Sequence, residues 1–171
     1  MNSAIFIDAG YLLRVLKEID KKINLLKLSS ELAVGTNRIK TIFYDSLPIM
    51  GTPEGDSLYA KRQRLHSVIR HLPNFEVKLG RLRKRNGIFV QKGVDMRLGI
   101  DLVQMCMKKE INMAILITAD SDFEYAVEKA QESGVKVTLA YFPISKLSST
   151  FLKSVDKKIL LTDDLLNRCK L

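Results

Sequence analysis

A chain of 171 residues with 46% apolar and 27% charged residues is long enough to bury one core, and is neither disordered nor fibrous in composition. It contains no run of about eighteen apolar residues, which excludes a membrane-spanning helix, and its opening MNSAIFIDAG has no basic prelude and reaches an acid at residue 8, unlike a secretory leader. The formal charge of +9 and pI of about 9.6 point to an anionic partner, of which nucleic acid is the commonest class.

In chain order, SAIFID is a short apolar run ending in an acid, the pattern of a buried strand. GYLLRVLKEIDKK then places Leu12, Val15, Leu16 and Ile19 at helical spacing, and LSSELAV reads as a short helix. NRIKTIFYDS is a second strand, and LPIMGTPEGDS a Pro/Gly loop. From Ser57 to Leu72 the apolar residues Leu58, Leu65, Val68, Ile69 and Leu72 define an amphipathic helix whose other face is basic. Pro73 and Asn74 stop it. His66 and His71 lie on that helix without metal-ligand spacing and read as surface residues.

FEVKLGRLRKRNGIFVQ is read as an extended arm. Its Asn86-Gly87 pair favours a tight hairpin turn, and Arg81, Arg83 and Arg85, two apart, share one face. KGVDMRLGIDLVQMCMKKE is helical, INMAILI is a fourth strand, DFEYAVEKAQESG a helix, and VKVTLAYF a fifth strand closed by Pro143. The tail holds two short helices around a last strand, the second helix capped by Thr162 or Asp163. Cys106 and Cys169 form no CxxC and fit reduced thiols in a cytoplasmic protein, the second near a frayed C-terminus. The expectation is one α/β domain over residues 1–171, with helices on both faces of a mainly parallel sheet of order 3-2-1-4-5 and a basic hairpin arm.

In such sheets ligands bind beyond the carboxyl ends of the strands, where the strand order reverses. Asp8 ends strand one, and Asp120 and Asp122 follow strand four, so three acids converge on that crevice. Each also has a plainer reading as a helix cap. Asp95 stands in the first turn of the helix before strand four, where a carboxylate also suits the helix dipole. Asp101, six residues on, is rotated by about 120° and flanks the site or bonds a neighbouring loop. Packed carboxylates repel unless a cation compensates. An all-oxygen set without His or Cys suits Mg²⁺ or Mn²⁺ rather than zinc. A metal held by acids beside a basic surface suits phosphodiester hydrolysis. Between Asp56 and Lys92 ten basic residues face only Asp56 and Glu76, which gives that surface its sign. No P-loop or GxGxxG is present, and the DAG after strand one lacks the DxD of Asp-nucleophile phosphatases.

FIDAGYLL, QKGVDMRLGIDLV and AILITADSDFEYAVEKAQESGVKV, in this order and at these spacings, resemble the NYN domain, in the LabA-like branch of the PIN-like nucleases. The resemblance implies a three-layer α/β/α PIN-like fold and a metal-dependent ribonuclease acting on RNA, with DNA a second substrate to consider. Asp8, Asp95, Asp120 and Asp122 match the family's acids, Asp101 the second acid of its helix motif, and Lys92 the Lys of KGVD. With Arg81, Arg83 and Arg85, Lys92 is assigned to nucleic-acid binding. Tyr11 stands where the family's first block usually has Asn, and Ala119 where it has Gly. A catalytically weak RNA-binding module of the same fold is therefore the alternative.

Overall fold

Ser3 to Ile7 are all buried, which a strand with one wet face cannot achieve, so both faces of this strand must be covered. In the computed structural model of residues 1–171 the backbone is described throughout, and side chains at all positions except Leu82, Lys84, Arg85, Ile88, Phe89, Val90 and Gln91. The shared face assigned to Arg85 therefore lies outside the described residues.

The chain runs β1 (Asn2–Asp8), α1 (Ala9–Glu18), α2 (Leu25–Leu32), β2 (Asn37–Asp45), α3 (Pro53–Arg70), β3 (Phe75–Leu79), β4 (Arg81–Arg85), β5 (Ile88–Lys92), α4 (Val94–Met107) and β6 (Met113–Ile117). A 3-10 turn (Ser121–Phe123) then leads into α5 (Glu124–Glu132), β7 (Lys136–Tyr141), α6 (Ser149–Ser154), β8 (Lys157–Leu160) and α7 (Asp163–Arg168). The main sheet has the order β3-β2-β1-β6-β7-β8, all neighbours parallel. This is the expected 3-2-1-4-5 arrangement with a sixth strand added at one edge.

Side chains alternate across β1, and each set has its own core. Ile5 and Ile7 pack with Phe43, Ile115, Leu12 and Leu28, under α1, α2 and α7. Ala4 and Phe6 pack with Ile42, Leu116, Leu98 and Val127, under α4, α5 and α6. The result is the three-layer α/β/α fold.

Two sequence expectations shift. FEVKL, the third strand of the expected order but not divided from the basic arm in the sequence reading, is a parallel edge strand of its own, with Phe43 opposite Val77 and Asp45 opposite Leu79. The hairpin is the next segment, β4 against β5 from Arg81–Lys92 to Arg85–Ile88, turning through Asn86 and Gly87 at φ 49° and 79°. Gly80 separates the two pieces. A Cβ there would stand 2.9 Å from the Lys92 carbonyl oxygen and 2.8 Å from a Val94 methyl, so only glycine lets the chain pass. The third helix begins four residues earlier than read, because Thr52 caps it by accepting from Gly55 N–H and Pro53 occupies the first turn.

Candidate active site

β1 is central, so its carboxyl end opens into the middle of the sheet's rim. Asp8 stands there as the N-cap of α1: Oδ1 accepts from Tyr11 N–H at 3.1 Å, and Oδ2 accepts from the Thr118 hydroxyl at 2.9 Å. Thr118 is fully buried just past β6, and its Oγ1 also accepts from Asp120 N–H at 3.1 Å. Asp120 in turn caps the 3-10 turn, accepting from Asp122 N–H at 2.9 Å. One hydroxyl thus ties the acid of β1 to the acid of β6. The capping roles are real, and they leave lone pairs free, since a carboxylate accepts about four hydrogen bonds.

Asp95 comes from the other direction, on the first turn of α4. Its carboxyl is pushed above the ordinary carboxylate range, first by burial and then by the charges of Asp8, Asp120 and Asp122. Asp8 is also raised, chiefly by burial, against the lowering hydrogen bonds from Tyr11 and Thr118, with Asp120 adding to the rise and Arg14 opposing it. The acids therefore feel one another electrostatically. Asp8, Asp95 and Asp120 line one cleft of about 580 Å³, with Tyr11, Arg14 and Lys146 on its other wall. Asp8 and Asp95 line a second of about 310 Å³, beside Asp45 and Lys92. Asp122 borders neither; it meets Asp95 in a third groove, between α4 and α5. Among the described residues no three acid, His or Cys side chains are already drawn into a metal cage.

Asp101 is engaged elsewhere. Its Oδ2 accepts from Lys78 Nζ at 2.8 Å and from the Tyr44 hydroxyl at 2.9 Å, so it braces α4 against β2 and β3 and borders neither cleft. Burial, and after it the neighbouring Asp101 carboxylate, hold the Tyr44 phenol well above its ordinary pKa.

On the basic side, Arg81, Arg83 and Lys92 line a pocket of about 360 Å³ that Arg97 completes. Arg97 was not singled out from the sequence. It lies two residues after Asp95, about 200° around the helix, so one turn of α4 aims an acid at the clefts and a cation at the hairpin.

Sequence reasoning also missed Asp45. It ends β2 as Asp8 ends β1, and the parallel spellings IFID and IFYD were the available signal. Asp45 is 3% exposed; Arg62 Nη1 lies 2.7 Å from both its oxygens, and His66 Nε2 lies 2.7 Å from Oδ2. His66 is thus no surface residue but 1% exposed, because it shares the inward face of α3 with Ile69, three residues on. Cys169 is likewise buried rather than frayed, and burial pushes the thiols of Cys106 and Cys169 up, the former to about 11.

Tyr11 is 5% exposed and turns inward. Its ring meets Phe142 edge-on at 5.8 Å, its hydroxyl accepts from Phe142 N–H at 2.9 Å and shares a 2.6 Å hydrogen bond with Ser145 Oγ. The residue in the family's Asn position therefore holds the loop after β7, which carries the cleft's far wall.

No functionally curated protein matches this chain. A crystal structure of a protein of unknown function, VPA0982 from Vibrio parahaemolyticus RIMD 2210633, superposes with a TM-score of 0.70 at 20% identity, covering 95% of this chain and 94% of that one; at this identity the likeness concerns the fold. The sequence profile of the NYN domain matches residues 2–162. With that match running through β1, α4, β6 and the acids they carry, the chain belongs to the NYN domain family, within the PIN-like nuclease superfamily.

Proposed function

We propose that residues 1–171 act as one LabA-like NYN domain, a divalent-metal-dependent ribonuclease of the cytoplasm that hydrolyses RNA phosphodiester bonds. The observation that carries the reading is the convergence of Asp8, Asp95 and Asp120 on one open cleft, where their charges oppose one another. The donor set fits a hard cation: all oxygen, multiply charged, and on the mouth of a parallel sheet. The lack of a closed three-ligand group is compatible with Mg²⁺ or Mn²⁺, since Mg²⁺ is commonly held by one or two carboxylates with several waters. When bound, the ion would acidify a water and neutralise charge developing on phosphate.

In this reading Asp8, Asp95 and Asp120 hold the metal, and Asp122 contributes from the edge. Thr118 fixes the orientation of Asp8 and the backbone of Asp120 together. Asp101 stays outside the set because its carboxylate faces Lys78 and Tyr44. Arg81, Arg83, Lys92 and Arg97 grip backbone phosphates on one side of the cleft, and Arg14 and Lys146 do so on the other. Arg85 extends the same basic arm in sequence.

The test is cleavage of single-stranded and structured RNA, with DNA beside them, in Mn²⁺, Mg²⁺ or EDTA, using wild type and Asp120→Asn. Metal-dependent products that vanish in the variant support the nuclease. Salt-sensitive RNA binding without products in any metal would favour the binding module instead, a reading motivated by Tyr11 in the Asn position.

A further inference from the structure

On a chain of net charge +9, the outer surface of α4 and α5 is different in kind. Met96, Ile100, Val103 and Met107 follow one another at steps of four, three and four residues, a single helical stripe about 16 Å long. Met96, Ile100 and Met107 are 67%, 57% and 69% exposed, and Tyr125 of α5 stands beside them at 68%. Together they line a groove of about 830 Å³. The stripe is separate from the inward face of α4, where Leu98, Leu102 and Met105 already fill the core. Exposed apolar surface of this kind is uncommon on a monomer unless something covers it.

The charges at the groove's ends indicate what does. α4 precedes β6 and α5 follows it on the same face of a parallel sheet, so the two helices run in the same direction. Asp95 and Asp122 both lie at the N-terminal end of the groove, and Lys108 and Lys129 at the C-terminal end. Lys129 is paired with Glu132 at 2.6 Å, whereas Lys108, Asp95 and Asp122 have no ion pair among the described residues. The face is balanced, two acids against two lysines, and its polarity is end to end.

We propose that this groove is covered by a second copy of the chain, in a two-fold dimer whose α4 helices cross antiparallel. A two-fold axis perpendicular to α4 is the arrangement that sets acids against lysines, with the partner's Lys108 at Asp95 and Asp122, and it also opposes the helix dipoles. It places Met107 against the partner's Met96 and lets the two stripes interleave. Gly99 and Ala126, which line the groove with little or no side chain, let a partner helix approach closely, a Cβ at Gly99 standing 3.7 Å from that of Ala126. The partner's Lys108 would then stand at the rim of each acidic cleft, so each site would be completed from across the axis.

The test is the mass of the 171-residue chain in EDTA by sedimentation equilibrium from micromolar to sub-millimolar concentration. Wild type is expected at twice the chain mass. Met107→Glu, at an exposed position, is expected to weaken association about a hundredfold with its melting temperature read alongside to verify folding. Lys108→Glu should weaken it about tenfold, and Lys108→Glu combined with Asp122→Lys should restore most of the loss. A wild type that is monomeric throughout overturns the proposal. So does a dimer indifferent to Met107→Glu and to the charge exchange, which would place the interface elsewhere. A monomer whose RNA binding falls in Tyr125→Ser would assign the groove to substrate and equally overturn it.

Discussion

Removing one charge from the acid cluster should make the protein more stable and less useful. Asp95→Asn is the clean case, because this carboxyl has no hydrogen bond among the described residues and its folded pKa is raised. A group whose folded pKa exceeds its unfolded value contributes stability in full below the unfolded pKa, about 3.9 for Asp, and loses it as pH rises through the folded pKa. At pH 7 the wild type has lost that contribution; Asn, uncharged at every pH, has not. The dipole of α4 works the other way, by about 0.3–1 kcal/mol for a first-turn acid. Burial and the charges of Asp8, Asp120 and Asp122 push in the opposite direction. Asp95 is largely exposed, so solvent screening leaves a net gain of only about 0.5–1 kcal/mol, or roughly 1–4 °C in Tm for a chain of this size. Calorimetric melts in EDTA should show that gap at pH 7 and its closure near pH 3. Mg²⁺ at about a hundred times its Kd should add about 2.7 kcal/mol to the wild type and much less to the variant, reversing their order. An Asp95→Asn protein that melts below wild type at pH 7 in EDTA, and gains as much from Mg²⁺, would refute the argument.

Three further outcomes follow from the same geometry. Thr118→Val should cost about 1–3 kcal/mol, because the Asp120 N–H and an Asp8 oxygen lose their common partner, and the acidic limb of the cleavage pH profile should move upward as Asp8 becomes harder to ionise. Tyr11→Phe should cost about 1–2 kcal/mol by orphaning the buried Phe142 N–H; hydrogen exchange should quicken at Phe142 and Ser145 while the strands keep their protection. Arg83→Ala should reduce the slope of log K against log salt for RNA binding by about one, with little change in sequence preference.

The sheet was legible because its central strands are continuous apolar runs, and SAIFID and NMAILI admit few other readings. The acids at their ends were legible for the same reason: a parallel sheet sends every strand's carboxyl end to one rim. What could not be read was pairing. FEVKL alternates and precedes an arginine-rich stretch, so locally it belongs to the arm; its place beside β2 is decided by long-range partners that a local pattern does not contain. His66 looked solvated because its helix is basic, and only the acid at the end of a strand twenty-one residues earlier in the chain accounts for its burial. Asp101 matched a motif position, and its side chain is turned away by Lys78, a residue of another element.

The hairpin's attachment has an evolutionary consequence. β4 and β5 leave the body at Gly80, whose N–H bonds the Asp45 carbonyl at 3.3 Å, and rejoin it at Gly93, whose carbonyl accepts from Arg97 N–H at 3.0 Å as α4 begins. Both anchor points are main-chain bonds, indifferent to the side chains of the loop between them. The twelve-residue arm can therefore lengthen, shorten or change charge while Asp8, Asp95 and Asp120 keep their places. Under the proposed function, affinity for one nucleic acid over another would drift on the arm as the acids stay fixed, leaving recognition and chemistry free to diversify at different rates.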